Sequence, residues 1–211
     1  TGVNDHLDDG AVGFVVTRGA AVSSDVNYSG INPTDVSASN TDNDTAGITV
    51  TPTTGLVTTE AGGTATFTVV LNSQPTADVT IGLSSSDTTE GTVAPASLTF
   101  TTANWNTPQT VTLAAAADVD LTHGSAMFNV TSVGLPTVSV TATEVDNDVQ
   151  SLVVSSTAVS VTEGGTNTFT VRLSAQPVAN VTVNVARVSG DTDLSVSGGV
   201  TLTFTIANWN T

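Results

Sequence analysis

Apolar and polar residues alternate with a period of two in several stretches of the chain, the spacing that puts every second side chain on one face of a β-strand. Within 64–71, Ala65, Phe67, Val69 and Leu71 share one parity while Thr64, Thr66 and Thr68 take the other. Within 137–143, Val138, Val140 and Ala142 alternate with Thr137, Ser139, Thr141 and Thr143. Both stretches read as strands with one face in a core. Shorter candidates fall near 47–53, 78–84, 97–102, 109–115 and 125–131, separated by turn signals such as Asn72-Ser73-Gln74-Pro75 and His123-Gly124. No stretch has the three-to-four-residue apolar spacing of a helix, and the many Thr and Val residues favour strands.

The pattern returns along the chain. Thr59-Glu60-Ala61-Gly62-Gly63, Phe67-Thr68-Val69 and Gln74-Pro75 reappear as Thr162-Glu163-Gly164-Gly165, Phe169-Thr170-Val171 and Gln176-Pro177. The run FTTANWNT at 100–107 reappears as FTIANWNT at 204–211, and Asp42-Asn43-Asp44 as Asp146-Asn147-Asp148. Self-similarity at a period of about 100 residues predicts one folded domain per repeat. About seven strands per repeat predict an all-β fold of tandem immunoglobulin-like β-sandwich repeats. With the acidic tripeptides as domain ends, the chain divides into the C-terminal half of a repeat (1–45), a complete repeat (46–148) and the N-terminal half of the next (149–211). The half-repeats are complementary, as in one window of a longer polymer; completion of each half by strand addition from a neighbouring chain is the alternative.

Composition narrows the function classes. Of 211 residues 38% are hydrophobic and 4% aromatic, so the cores must be built from Val, Leu, Ile, Ala and a few Phe. Nineteen acidic residues face three arginines (Arg18, Arg172, Arg187) and no lysine, a formal charge of −16. That balance removes the footprint needed to hold a phosphate backbone and disfavours an anionic membrane surface. No apolar run approaches the roughly 20 residues needed to span a bilayer. Without cysteine there are no disulfides, and without lysine no Lys–Asn isopeptide brace, which leaves metal as the staple for small domains. Catalysis has no visible machinery: His6 and His123 sit in turns beside acids, and the serines of Ser84-Ser85-Ser86 lie in a low-complexity run. The sequons at Asn27, Asn43, Asn129 and Asn180 are expected by chance in so Thr-rich a chain. Trp105 and Trp209, each in Asn-Trp-Asn, are expected to cover one end of a core, with sugar stacking as the alternative.

The acids of the complete repeat fall at places that an immunoglobulin-like topology can bring to one end. They are Glu60 in the first turn, Asp87 in the middle loop, Asp118 and Asp120 before the penultimate strand, and Asp146, Asn147 and Asp148 at the exit. Clustered carboxylates repel one another unless a cation neutralises them. An all-oxygen set suits Ca²⁺, which takes six to eight oxygens at about 2.3–2.6 Å, better than zinc, which prefers Cys and His. Asp5, Asp8 and Asp9 with Asp42, Asn43 and Asp44 in the first segment, and Glu163 with Asp191 and Asp193 in the third, are expected to assemble a second such site. Of the 19 acids only Asp25, Asp35, Asp78, Glu90 and Glu144 are left for ordinary surface. The competing reading is that Asp and Asn serve as turn formers that keep the surface soluble.

The Thr59–Gly63 turn leading into an alternating strand, the later acidic pair and the closing Asp-Asn-Asp resemble a Calx-beta domain, and the junction resembles that of cadherins. The resemblance implies calcium coordination by Glu60, Asp87, Asp118, Asp120, Asp146 and Asp148. The acids are sparser than in exchanger-type Calx-beta domains, so one or two ions per junction are expected, with affinity in the weak range of extracellular modules, about 10⁻⁴ to 10⁻³ M. It also implies a secreted or surface-displayed structural repeat of an adhesin-like or matrix- or filament-forming protein, not an enzyme. Its expected partners are neighbouring repeats, head-to-tail copies of itself, and a polysaccharide or cell-surface ligand. The rival expectation is a carbohydrate-binding or spacer module of a secreted polysaccharide-degrading enzyme.

Overall fold

The computed structural model describes residues 2–190 and 192–211, so the expected ligand Asp191 lies outside the described residues. The chain is all-β. In order, the strands are β1 (Val12–Val16), β2 (Val36–Asn40), β3 (Ile48–Thr51), β4 (Leu56–Thr59), β5 (Thr64–Leu71), β6 (Val79–Ser85), β7 (Gly91–Ala94) and β8 (Ser97–Phe100). They continue as β9 (Gln109–Ala115), β10 (Ser125–Ser132), β11 (Leu135–Val145), β12 (Leu152–Val154), β13 (Val171–Leu173), β14 (Val181–Asn184) and β15 (Thr201–Phe204). Among the described residues no helix is long and apolar enough to cross a membrane.

Strands β3 to β11 form two sheets packed into a sandwich, one in the order β3-β5-β9-β7 and the other in the order β4-β11-β10-β6-β8. Their inward residues make one core that includes Phe67, Ile81, Phe100, Leu113 and Phe128. The pairing of β4 with β11 is parallel, from Leu56↔Ala142 to Thr59↔Val145. The opening stretch of the repeat thus divides itself between the two sheets, β3 on β5 and β4 on β11, as in immunoglobulin-like sandwiches. Two short strands, β4 and β7, were not legible in the alternation; four residues each, they show too few apolar turns of the period to stand out.

Each flanking segment repeats local pairings of the middle one. Leu152↔Leu173 in β12–β13 repeats Ile48↔Leu71 in β3–β5, and Val181↔Phe204 in β14–β15 repeats Val79↔Phe100 in β6–β8. At the same distance before the two acidic tripeptides, β1–β2 has Phe14↔Ala38 and β10–β11 has Ala126↔Ala142.

Successive segments are joined by a repeated hydrogen bond. The Gln74 N–H donates to the His6 carbonyl at 2.7 Å, and one repeat later the Gln176 N–H donates to the Val119 carbonyl at 2.7 Å. The residue before each glutamine is buried there, Ser73 at 6% exposure and Ala175 at 1%. The Asn-Trp-Asn turn lies beside this joint. Asn104 Oδ1 accepts from Thr101 N–H and Asn208 Oδ1 from Thr205 N–H, each at 2.6 Å, while the Trp105 and Trp209 carbonyls accept from Leu71 and Leu173. Trp105 is half-buried on the core, and its ring lies 5.6 Å from that of His6 at 45°. It therefore covers the core and meets the preceding segment at once.

Candidate metal centre

The first component of the site is the turn that carries Glu60. Thr59 bridges to Gly63, its carbonyl accepts from Gly62 N–H at 3.0 Å and its hydroxyl from Gly63 N–H at 2.9 Å. Gly62 has φ +95°, a conformation that disfavours any side chain, and a Cβ on Gly63 would meet the Thr59 hydroxyl. The two glycines thus explain the Thr-Glu-Ala-Gly-Gly spelling: they close the turn so that Glu60 stands at the end of the sandwich.

The second component is the exit of β11. Its parallel pairing with β4 carries Val145 beside Thr59, so Asp146 and Asp148 emerge next to Glu60. Carboxylate oxygens of Glu60, Asp146 and Asp148 lie within 4.8 Å of one another, all three residues half-buried; among the described residues no other group of three His, Cys, Asp or Glu side chains shares such a space. The third component is the loop before β10. Asp118 N–H donates to Glu60 Oε1 at 2.6 Å, Asp120 N–H to Asp118 Oδ1 at 2.9 Å and Thr122 N–H to Asp120 Oδ1 at 2.6 Å. Glu60 Oε2 accepts from Asn147 N–H at 3.3 Å, and Asp148 N–H donates to Asp146 Oδ1 at 2.6 Å. His123 holds the exit in place, its Nδ1 accepting from Asp146 N–H at 3.0 Å.

Glu60 thereby ties the 118–122 loop to the 146–148 exit through main-chain donors. Of the chain's three arginines, Arg18 donates to the Thr34 carbonyl and Arg172 to that of Leu173. The Asp148 carboxyl is raised above the usual carboxylate range by burial first, and then by the negative charges of Glu60, Asp146, Asp118 and Asp120. An oxygen-only set of crowded carboxylates fits a hard divalent cation such as Ca²⁺.

The other expected ligands are placed differently. Asp87 is exposed, and its Oδ1 takes the Thr89 hydroxyl at 2.5 Å and N–H at 3.0 Å, which lowers its carboxyl. In the first segment Asp42 accepts from Gly10 N–H and Asp44 N–H at 2.7 and 2.8 Å, Asp8 from Ala46 N–H at 2.7 Å and Asp5 from Leu7 N–H at 3.1 Å. Asp5, Asp9, Asp42, Asn43 and Asp44 line a polar recess of about 140 Å³. Glu163 and Asp193 are exposed, Glu163 in a turn closed by Gly165 N–H on the Thr162 carbonyl at 2.8 Å.

Two acids expected on ordinary surface are not there. Glu144 is 2% exposed, the Gly124 N–H donating to its Oε2 at 3.1 Å, and Glu90 is half-buried. Burial raises both carboxyls, helped at Glu144 by the charges of Glu60, Asp146 and Asp118, and at Glu90 by those of Asp118, Asp87, Asp120 and Glu144. The signal for Glu144 was in the alternation: Val138, Val140 and Ala142 point inward, and the next residue of that parity is Glu144.

No protein-family model matches the chain. Nor does any curated protein sequence. Solved structures similar to it include the surface-layer protein SbsC, domains 4 and 5, at 22% identity and TM-score 0.37 over 53% of this chain and 52% of that one. SbsC domains 1–6 align at 16% identity and TM-score 0.37, over 81% of this chain and 23% of the other. A Bacteroides ovatus GH5 xyloglucanase aligns at 14% identity and TM-score 0.35, over 47% of this chain and 19% of the enzyme. None of these is near enough to carry a function across. What the strands themselves define is an all-β chain of immunoglobulin-like sandwich repeats with an acidic centre at one end of the repeat spanned by β3 to β11.

Proposed function

We propose that the chain is a calcium-stiffened structural repeat of a secreted or surface-displayed, adhesin-like or matrix-forming protein, and that it has no catalytic role. The observation that carries this reading is the double duty of the 118–122 loop. Asp118 and Asp120 belong to the acidic centre, and Val119 between them gives its carbonyl to Gln176 of the next segment. Glu60, Asp146 and Asp148 would hold the ion, with Asp118 and Asp120 beside them. Bound calcium supplies the positive charge that lets these carboxylates stay close. The residues do the rest: Glu60 fixes the loop, the loop presents the Val119 carbonyl, and the Gln176-Pro177 turn docks on it. Loss of the ion would leave mutual repulsion to loosen the loop and free the angle between segments. The Calx-beta resemblance of the Thr59–Gly63 turn, the acidic pair and the closing tripeptide supports the same reading.

Small-angle X-ray scattering of the whole chain, with calcium and with EDTA, tests it. Stripping calcium is expected to broaden the distribution of end-to-end distances, and Asp118→Asn with Asp120→Asn is expected to reproduce that change in saturating calcium. Identical scattering in the two conditions would sink the rod reading.

A further inference from the structure

The hairpins that lead to the two acidic tripeptides are closed differently. In β10–β11 the connection is the turn Val133-Gly134, with Gly134 at φ +80°. In β1–β2 it is the loop 17–35, which is ordered by its own main chain. Ala21 N–H donates to the Ile31 carbonyl at 2.8 Å and Gly30 N–H to that of Ala21 at 2.9 Å, while Tyr28 and Ser29 N–H both reach the Asp25 carbonyl at 3.0 Å. The loop nevertheless holds its apolar side chains in solvent: Val22, Val26 and Tyr28, the chain's only tyrosine, are 100%, 85% and 63% exposed. Asp25 is the only charged residue between Arg18 and Asp35, and its Oδ1 is turned back onto Asn27 N–H at 2.9 Å. A repeat that departs from its neighbour by one ordered, apolar loop carries the mark of a contact point.

A recess of matching chemistry lies on the repeat spanned by β3 to β11. There β11 runs between β4 and β10, with Val57 beside Thr143 and Met127 beside Thr141. These residues, with Leu56 and Ala126, line a recess of about 370 Å³ that no charged residue borders. Val57 and Met127 are both exposed. Copies of a chain with a formal charge of −16 repel one another over most of their surface. The recess has no charge and the loop has one, tied internally, so these are the places where two copies can meet. We propose that the 17–35 loop of one copy docks its Val26 and Tyr28 side chains between Val57 and Met127 of a second copy. Loop and recess are different surfaces, so the contact is heterologous: each pairing leaves one loop and one recess free, and association extends as an open array. Neither surface includes a residue of the acidic centre, so the contact does not rest on calcium.

Sedimentation velocity of the whole chain over a concentration series, with calcium and with EDTA, tests the proposal. Association that grows past the dimer, persists in EDTA and strengthens as salt screens the acidic charge is the expected result. Tyr28→Ser in the loop, and Met127→Ser and separately Val57→Ser in the recess, are each expected to weaken it by about tenfold or more, the effect of removing an interface anchor. All three positions are exposed, and a cooperative melt confirms that each variant is folded. Mixed together, Tyr28→Ser and Met127→Ser chains should pair one to one and stop there, because each offers the surface that the other lacks. A parent chain that stays monomeric would overturn the proposal. So would recess variants that associate as the parent does, or a mixture that forms no heterodimer. Association that vanishes in EDTA would assign the contact to the acidic centre and overturn it as well.

Discussion

Asp42-Asn43-Asp44 and Asp146-Asn147-Asp148 are the same tripeptide in two surroundings: the first aspartate of one is lowered and the last aspartate of the other is raised. Asp42 is met by main-chain donors, Asp44 N–H and Gly10 N–H, and its carboxyl is lowered by them. Asp148 is raised, by burial first and then by the carboxylates around it. The tripeptide alone therefore does not define a metal centre. What differs is the company: Glu60 from the β4–β5 turn, Asp118 and Asp120 from the loop before β10, and the buried Glu144 two residues before Asp146. Both tripeptides receive main-chain donors; at the second one carboxylates from other elements crowd in as well, and there a cation is the natural counter-charge.

The largest expected effect concerns the frameworks that hold the two tripeptides. Each hairpin carries one phenylalanine facing the strand that leads to its tripeptide, Phe128 in β10 and Phe14 in β1, yet Phe128 is 1% exposed and Phe14 is 52% exposed. Phe128→Ala is expected to destabilise the sandwich by about 3–5 kcal/mol, the usual cost of emptying a buried phenyl site. Phe14→Ala is expected to stay within about 0.5 kcal/mol. Equal shifts of the denaturant midpoint in the two variants would show that the two hairpins do not differ as described.

Calcium comes next. Free calcium at about 100 times the dissociation constant should add about 2.7 kcal/mol per site to the stability of the repeat spanned by β3 to β11, and EDTA should remove it. Asp148→Asn is expected to abolish most of that increment in thermal melts, whereas Asp42→Asn leaves it in place. A larger loss from Asp42→Asn than from Asp148→Asn would invert the comparison.

Much of this was readable from residue order alone, and the parts that were not have physical reasons. The alternation at 64–71 and 137–143 marked β5 and β11 because eight and eleven residues give the period room to show. The meeting of Glu60 with Asp146 and Asp148 depends on the parallel β4–β11 pair, and β4 is too short to be seen in the alternation. Glu144 was misassigned because a charge was taken as a mark of surface; the parity of its own strand placed it inside. Asp87 was drawn toward the site by its loop position, and a local bond network with Thr89 holds its side chain instead.

A smaller effect is expected at His123, whose ring accepts a hydrogen bond from the exit of β11. His123→Ala removes the acceptor for Asp146 N–H and should cost about 1 kcal/mol, the usual net worth of such a bond. Because the bond positions Asp146, the calcium midpoint should move to higher concentration by a few-fold, on the order of what 1 kcal/mol allows. A variant with unaltered calcium affinity would show that the exit is fixed by Glu60 and the β4–β11 pair alone.

The smallest effect is read residue by residue, by NMR titration of side-chain carboxyl carbons in EDTA. Asp42 should titrate below an ordinary aspartate and Asp148 above it. The two signs have opposite consequences for stability. A lowered carboxyl such as Asp42 contributes stability above the unfolded value and loses it as pH falls through the folded one. A raised carboxyl such as Glu144, Glu90 or Asp148 favours the folded state at low pH, and that contribution is lost as pH rises from the unfolded value through the folded one. The calcium-free chain should therefore melt at a higher temperature as neutral solution is brought toward about pH 5, a value still above the range in which ordinary carboxylates protonate. The calcium-loaded chain should move the other way, because its ligands must be ionised to bind. If both forms lost stability together on mild acidification, the raised carboxyls would not govern this end of the repeat, and the contrast between the two tripeptides would reduce to their hydrogen bonds.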